Sequence, residues 1–129
     1  MRSGIIISSV LIALSSAATE VTHEVSPPSK GLASWYGEAH RGKLMANGRK
    51  FDPSKLTAAS WFYPLGSKVR VASQSPRKVK RTVIVTITDR GPARDLVESG
   101  RVIDLTYGAF KRLRNPDSGL VPVVVERIR

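Results

Sequence analysis

The most constraining feature of the chain is an alternating segment over residues 78–88, in which apolar side chains recur at odd-numbered positions. These apolar residues are Val79, Val83, Val85 and Ile87. A period of two predicts a β-strand with one buried face. The run ends at Asp89-Arg90-Gly91-Pro92, and its Gly-Pro pair is typical of a turn. The segment therefore indicates a β-rich fold.

Shorter strand patterns occupy much of the remaining chain. We predict strands or short extended runs over 31–36, 56–59, 68–72, 102–105 and 121–128. In the last of these, Val123, Val125 and Ile128 are expected to face the core. A single helix is predicted over 107–113, with Thr106 as its N-cap. Six or seven short strands with one helix favour a small closed barrel.

The composition is that of one soluble globular domain, with 129 residues of which 41% are hydrophobic and 24% charged. It excludes a mainly disordered chain and a multi-pass membrane protein. There is no cysteine, which excludes disulfides, thiolate metal sites and a cysteine nucleophile. The histidines are His23 and His40 alone. We therefore predict no metal and no cofactor.

The first residues have the pattern of a secretory signal peptide. Arg2 precedes an apolar run over 5–14 and a patch of small residues. The run is about half of the roughly 20 residues that a membrane-spanning helix needs. We predict a signal peptide over 1–18, cleaved after Ala18 or, nearly as well, after Ala17. A short buried helix or an uncleaved anchor is the alternative.

The rest of the chain divides into a leader and one domain. The polar stretch 19–29 predicts a flexible leader, and 30–129 is predicted to form a single domain. The processed product is expected to be exported, to the periplasm or outside the cell. We expect it to be a monomer with no transmembrane anchor.

The chain is strongly basic, with 21 Lys and Arg against 10 Asp and Glu and a formal charge of +11. This excess predicts a negatively charged partner: nucleic acid, anionic lipid or an anionic cell-wall polymer. Export favours the cell-wall polymer, because an exported protein does not meet intracellular nucleic acid. Only 6% of residues are aromatic, and no nucleic-acid-binding motif is recognisable. We predict no nucleic-acid partner.

Four groups of residues, in this order and at these spacings, carry a resemblance to a known family. They are Ala33-Ser34-Trp35-Tyr36-Gly37; Ala46-Asn47-Gly48 with Phe51-Asp52; Leu56-Thr57-Ala58-Ala59 with Pro64-Leu65-Gly66; and Thr88-Asp89-Arg90-Gly91-Pro92 with Arg101-Val102-Ile103-Asp104-Leu105. Together they resemble the rare lipoprotein A family over residues 31–129. The resemblance implies an all-β, six-stranded double-psi β-barrel with one or two short helices and a surface groove.

The resemblance also implies a function, since the better-known family members are lytic transglycosylases of bacterial peptidoglycan. It implies cleavage of the β-1,4 link between N-acetylmuramic acid and N-acetylglucosamine, leaving 1,6-anhydromuramoyl ends, with peptidoglycan glycan strands as the partner. We expect a short form, without the family's lipid-bearing cysteine and C-terminal glycan-binding repeat domain. The alternative is a catalytically weakened glycan-binding module or an accessory cell-wall protein.

Two positions depart from the family pattern. Members typically carry a glutamate where this chain has Arg49, and a histidine where it has Ser60. An arginine is not a general acid at useful pH, and a serine does not shuttle a proton as histidine does. The aspartates of the Asp-Arg-Gly-Pro and Ile-Asp-Leu motifs are retained as Asp89 and Asp104.

Asp104 and Asp89 are the predicted catalytic residues. Cleavage needs a proton for the leaving oxygen, and one carboxyl group can act first as acid and then as base. Asp104 interrupts an apolar run, so partial burial is expected to raise its pKa. Asp89 would be a second carboxylate or would orient the sugar. The structural alternatives are a turn-forming Asp89 and a helix-capping Asp104.

The residues predicted to bind substrate are Tyr36, Asn47, Arg49, Ser60 and Arg90. Tyr36 is expected to stack on a sugar ring while Trp35 packs in the core. Asn47 would hydrogen-bond an acetamido group or form an Asn-Gly turn. Arg49 would bind the lactyl carboxylate of the muramoyl group or be a solvated surface arginine. Trp61-Phe62-Tyr63 is expected to pack beneath a loop.

Overall fold

The computed structural model describes residues 29–74 and 80–129. The predicted signal peptide, 1–18, and nearly all of the predicted leader lie outside the described residues. So does the start of the alternating segment, including Val79. Ser29 already belongs to the first strand, which therefore begins two residues before the predicted start at residue 31.

Six strands and two short helices make up the regular structure of the described residues. The strands are β1 Ser29–Tyr36, β2 Thr57–Ala59, β3 Lys68–Ser73, β4 Thr82–Asp89, β5 Arg101–Thr106 and β6 Val121–Arg127. The helices are α1 Arg94–Glu98 and α2 Tyr107–Phe110, and single 3-10 turns lie at Glu38–His40 and Pro116–Ser118.

The strands close into a barrel in the order β1-β5-β2-β4-β3-β6. β1 pairs with β5, and β2 with β4, in parallel, while the remaining neighbours are antiparallel. Closure pairs every strand on both sides, which removes open sheet edges. The predicted all-β closed barrel with short helices is confirmed.

The barrel interior is filled by β-branched and aliphatic side chains. Its most deeply buried members include Val69, Val71, Val85, Ile87, Ile103, Leu105, Val121, Val123 and Val125. In β4, Val83, Val85 and Ile87 are buried while Ile84 is exposed, as the period of two predicts. Burial of each such side chain contributes roughly 1.5–3 kcal/mol, which explains stability without disulfides.

Helix α2 is capped as predicted but is shorter. The Thr106 hydroxyl accepts a hydrogen bond from the Ala109 amide at 3.1 Å, so Thr106 is the N-cap. The helix ends at Phe110 rather than at residue 113, and the chain continues in a turn. Phe110 and Leu113 nevertheless both reach the core.

Three packing predictions were wrong. Ile128 is exposed because β6 ends at Arg127, one residue before it. Trp61 and Phe62 are also exposed, and of that aromatic cluster only Tyr63 is buried. Trp61 lies on the surface because its indole donates to the Pro92 carbonyl at 2.6 Å and the Arg94 guanidinium covers its ring.

Candidate active site

The two candidate aspartates flank the end of β2. Ala59 is paired with Asp104 of β5 on one side and with Asp89 of β4 on the other. Since neighbouring strands lie about 4.8 Å apart, the backbones of the two aspartates are about 10 Å apart. The topology therefore brings together two carboxylates that are distant in sequence.

Asp104 is half-buried on the outer face of the barrel, between the inward-facing Ile103 and Leu105. Its Oδ1 accepts a hydrogen bond from the Ser34 hydroxyl at 2.6 Å. Burial raises the pKa of Asp104, and this outweighs the lowering by the Ser34 hydrogen bond and by the charges of Arg101 and His40. The carboxyl group thus keeps its proton to higher pH than an ordinary aspartate. Because Thr106 caps α2, the capping alternative for Asp104 is wrong.

Asp89 combines a turn contact with a long-range contact. Its Oδ1 accepts from its neighbour's amide, Arg90 N, at 2.9 Å and from Ala46 N at 2.8 Å. The second bond ties the loop over residues 46–49 to the end of β4. In the described part of the chain no group donates to Oδ2, so this oxygen is available to a ligand.

Tyr36 lies beside both carboxylates. Its hydroxyl is buried, and no partner for it is found among the residues the structure describes. Burial and the charges of Asp89 and Asp104 raise the pKa of Tyr36, which keeps the phenol a neutral hydrogen-bond donor. Its ring stacks on Phe51 at a centroid distance of 4.4 Å. One ring face is therefore already covered, and the buried hydroxyl is left without an acceptor among the described residues.

Two predicted substrate-binding residues have structural contacts instead. The Arg90 guanidinium donates to the carbonyls of Ser60 and Tyr63 at 2.7 and 2.6 Å, and so holds the loop after β2. Ser60 is fully buried. Its hydroxyl donates to the Val102 carbonyl and accepts from the Phe62 amide. The Ser60 hydroxyl is thus enclosed in this structure, and its contact with substrate stays a prediction.

Asn47 and Arg49 lie in an exposed loop next to Asp89. The Asn47 side-chain oxygen accepts from the Arg49 amide at 2.9 Å, and Gly48 has a φ of 85°. The structure thus contains the Asn-Gly turn that was the alternative for Asn47. The Arg49 side chain is exposed at the tip of this turn.

Sequence reasoning missed Ser34 and His40. Alternation in β1 places Ser34 on the face of Tyr36, which was a usable signal, but its partner Asp104 is 70 residues away. His40 was considered only as a metal ligand. Its ring lies 5.5 Å from that of Tyr36, and its charge lowers the pKa of Asp104.

A groove of about 900 Å³ begins beside this cluster, and we call it the lateral groove. Tyr36 and His40 line one end of it, while Trp35, Leu56 and Tyr107 form an apolar wall. Trp35 packs against the core, as expected, but also faces this groove. Neither aspartate lines it. The lateral groove therefore adjoins the carboxylates through Tyr36 and His40.

Residues 29–74 and 80–129 contain neither a candidate membrane span nor a candidate metal site. No helix there is long and apolar enough to cross a membrane. No group of three or more His, Asp or Glu side chains there is placed to hold a metal ion.

Comparison with known proteins identifies the family. The model of the lytic transglycolase family, a double-psi β-barrel family, matches residues 28–125. The chain belongs to the lytic transglycolase family. This confirms both the double-psi barrel and the resemblance found in the sequence.

Relatives and solved structures agree with this assignment. The chain is 43% identical over 98 residues to the endolytic peptidoglycan transglycosylase RlpA of Pseudomonas aeruginosa strain UCBPP-PA14, covering 76% of this chain and 27% of that protein. The chain spans 25–29% of the length of the first curated relatives that it matches.

Two solved structures share the fold. The Streptomyces papain inhibitor superposes with a TM-score of 0.60 at 24% identity, covering 81% of this chain and 97% of that one. A mutant Clavibacter michiganensis expansin in complex with cellohexaose has a TM-score of 0.58 at 19% identity, covering 80% and 51%. An inhibitor and an expansin on one barrel illustrate that the fold alone does not determine function.

Proposed function

We propose that this protein is an endolytic peptidoglycan transglycosylase that acts in the cell envelope after removal of residues 1–18. Its substrate is the glycan strand, cut between N-acetylmuramic acid and N-acetylglucosamine to leave 1,6-anhydromuramoyl ends. The family membership and the name of the Pseudomonas relative support this reaction. The observation that carries it is a half-buried Asp104 with a raised pKa, next to Asp89 and the Tyr36 hydroxyl.

Asp104 supplies the acid and the base. Its protonated carboxyl gives its proton to the glycosidic oxygen as the bond from the muramoyl C1 to that oxygen breaks. The carboxylate left behind takes the proton of the muramoyl C6 hydroxyl as that oxygen bonds to C1. Asp104 thus ends the cycle protonated, and no water is consumed. A raised pKa suits the first step, because the acid must be protonated when substrate arrives.

Asp89 and Tyr36 assist at the same sugar. The free Oδ2 of Asp89 faces the positive charge that develops at C1 or accepts a sugar hydroxyl. The neutral Tyr36 hydroxyl has no acceptor in the described chain, and it donates to a sugar oxygen once the strand displaces the side chains that bury it. Arg49 and the Asn47 amide nitrogen lie on the exposed loop over residues 46–49, which Asp89 holds, and both contact the glycan strand. Arg90 acts indirectly by holding the loop after β2.

The test is product analysis on purified, peptide-free glycan strands. Mass spectrometry should find 1,6-anhydromuramoyl ends with the processed protein and none without it. Hydrolytic, reducing ends would contradict transglycosylation. Strand binding without any product would instead favour a glycan-binding module. The replacement of the family's glutamate and histidine by Arg49 and Ser60 would then explain the loss of activity.

A further inference from the structure

The lateral groove has an excess of positive charge on its rim. Among its charged residues, Arg41 is already paired with Glu38 and lies 3.7 Å from an Asp52 oxygen. Lys111 and Arg112 are exposed, and neither forms an ion pair within the described residues. The rim therefore offers two uncompensated cations to a ligand.

The wall of the groove is apolar and aromatic. Trp35 and Tyr107 pack edge to face at 5.1 Å, and the Lys111 ammonium lies 5.5 Å from the centre of the Tyr107 ring. Exposed aromatic side chains of this kind pack against the apolar C–H faces of a ring in a ligand. A volume of about 900 Å³ lies towards the upper end of the range for ligand sites and has room for a segment of a chain.

The groove and the aspartate cluster have neighbouring residues in common. Tyr36 and His40 line the groove, and both are within electrostatic range of Asp104. A strand whose scissile bond lies at Asp104 would place its neighbouring sugars in the groove. The ligand must then combine apolar ring faces with an anionic group.

We infer that the lateral groove binds the glycan strand next to the cleaved bond, and that Lys111 and Arg112 recognise the lactyl carboxylate of a muramoyl residue. This inference rests on the proposed function for the identity of the strand. It makes Lys111 and Arg112 specificity residues, because an uncharged β-1,4 glycan of the same length lacks the group that they bind.

The test is a binding measurement by titration calorimetry with three oligosaccharides of equal length. The first is a peptide-free muramoyl glycan, the second is the same glycan with its lactyl carboxyls converted to amides, and the third is a chitooligosaccharide. The protein carries Asp104→Asn so that ligand is not consumed. Lys111→Gln with Arg112→Gln is compared with Lys30→Gln and Arg81→Gln, which remove the same charge from the start of β1 and the approach to β4.

The groove pair should weaken binding of the charged glycan about tenfold or more and leave the two uncharged ligands unchanged. The control pair should have little effect. Lys111→Arg with Arg112→Lys should restore binding, which separates recognition from misfolding. An equal loss with the control pair, or unchanged binding by the groove pair, would overturn the inference.

Failure of this inference is distinguishable from failure of the proposed function. With Asp104 restored, anhydromuramoyl products formed equally by wild type and by the groove pair at subsaturating strand would remove the groove assignment alone. Absence of products from wild type would remove the reaction, while the three affinities would still decide what the groove binds.

Discussion

At the scale of single residues, the chemistry depends on one carboxyl group whose environment favours its protonated form. Asp104 loses hydration on the barrel surface, and within the described residues this is partly offset by the Ser34 hydroxyl and by the charges of Arg101 and His40. A carboxyl with a raised folded-state pKa stabilises the fold at low pH, where it is protonated. That contribution is lost as pH rises through the folded-state pKa.

Asp104→Asn should therefore gain stability relative to wild type as pH rises from about 4 to about 8, because asparagine does not titrate. Urea unfolding at both pH values measures the difference. Asp52→Asn is the matched control: hydrogen bonds from Ser54 lower the pKa of Asp52, so its contribution is already present near pH 4 and this variant should change little relative to wild type between about pH 4 and about pH 8. The same pH trend in both variants would contradict the assigned environment of Asp104.

Ser34→Ala should shift the high-pH limb of the pH–activity profile to higher pH. Its hydroxyl stabilises the Asp104 carboxylate, so its removal raises the pKa of Asp104 further. The measurement is the rate of anhydromuramoyl formation against pH. Ser34→Thr keeps a hydroxyl and should retain the wild-type limb, and a downward shift in the alanine variant would refute the role of Ser34.

At the scale of elements, the site is shaped by loops that single side chains tie to strand ends. Asp89 holds the loop over residues 46–49, and Arg90 holds the loop after β2. These two neighbours at the end of β4 therefore position both loops. Their effects on activity should be separable, since Asp89 has an oxygen without a donor in the described chain while the Arg90 guanidinium donates to two main-chain carbonyls.

Arg90→Met should destabilise the protein by about 1–3 kcal/mol, because two carbonyls lose a charged donor. Urea unfolding measures this loss, and glycan affinity measured on the folded variant should change little. If stability stays constant while affinity falls, Arg90 binds substrate directly and the structural role assigned here is incorrect.

The elements also indicate what sequence reasoning can reach. Period-two alternation located β3, β4 and β6, because a half-buried strand imprints that pattern locally. The inward position predicted for Ile128 failed because a strand's end is set by its partners. Helix α1 was missed since none of its residues is buried and Ala93 offers no side-chain cap. The Ser34–Asp104 contact could not be predicted from the sequence, because it depends on the parallel pairing of β1 with β5.

At the scale of the whole molecule, the closed barrel carries a net positive charge. The chain carries a formal charge of +11 and contains no cysteine. A net positive surface attracts an anionic strand from several ångströms away, and salt screens this attraction over about 10 Å at 0.1 M and about 3 Å at 1 M.

Affinity for peptide-free glycan should accordingly fall several-fold when ionic strength rises from about 0.1 to about 1 M. Binding of an uncharged chitooligosaccharide serves as the comparison and should hardly change. Salt-independent binding of the charged strand would show that the basic surface has no part in recognition.

The most direct measurement is the yield of anhydromuramoyl ends from peptide-free strands by the Asp104→Asn variant. Unfolding experiments first establish that the variant is folded, and calorimetry that it still binds the strand. The account predicts a loss of activity on the order of a hundredfold or more, because an amide neither gives nor takes the proton. Wild-type yields from the folded, strand-binding variant would contradict it.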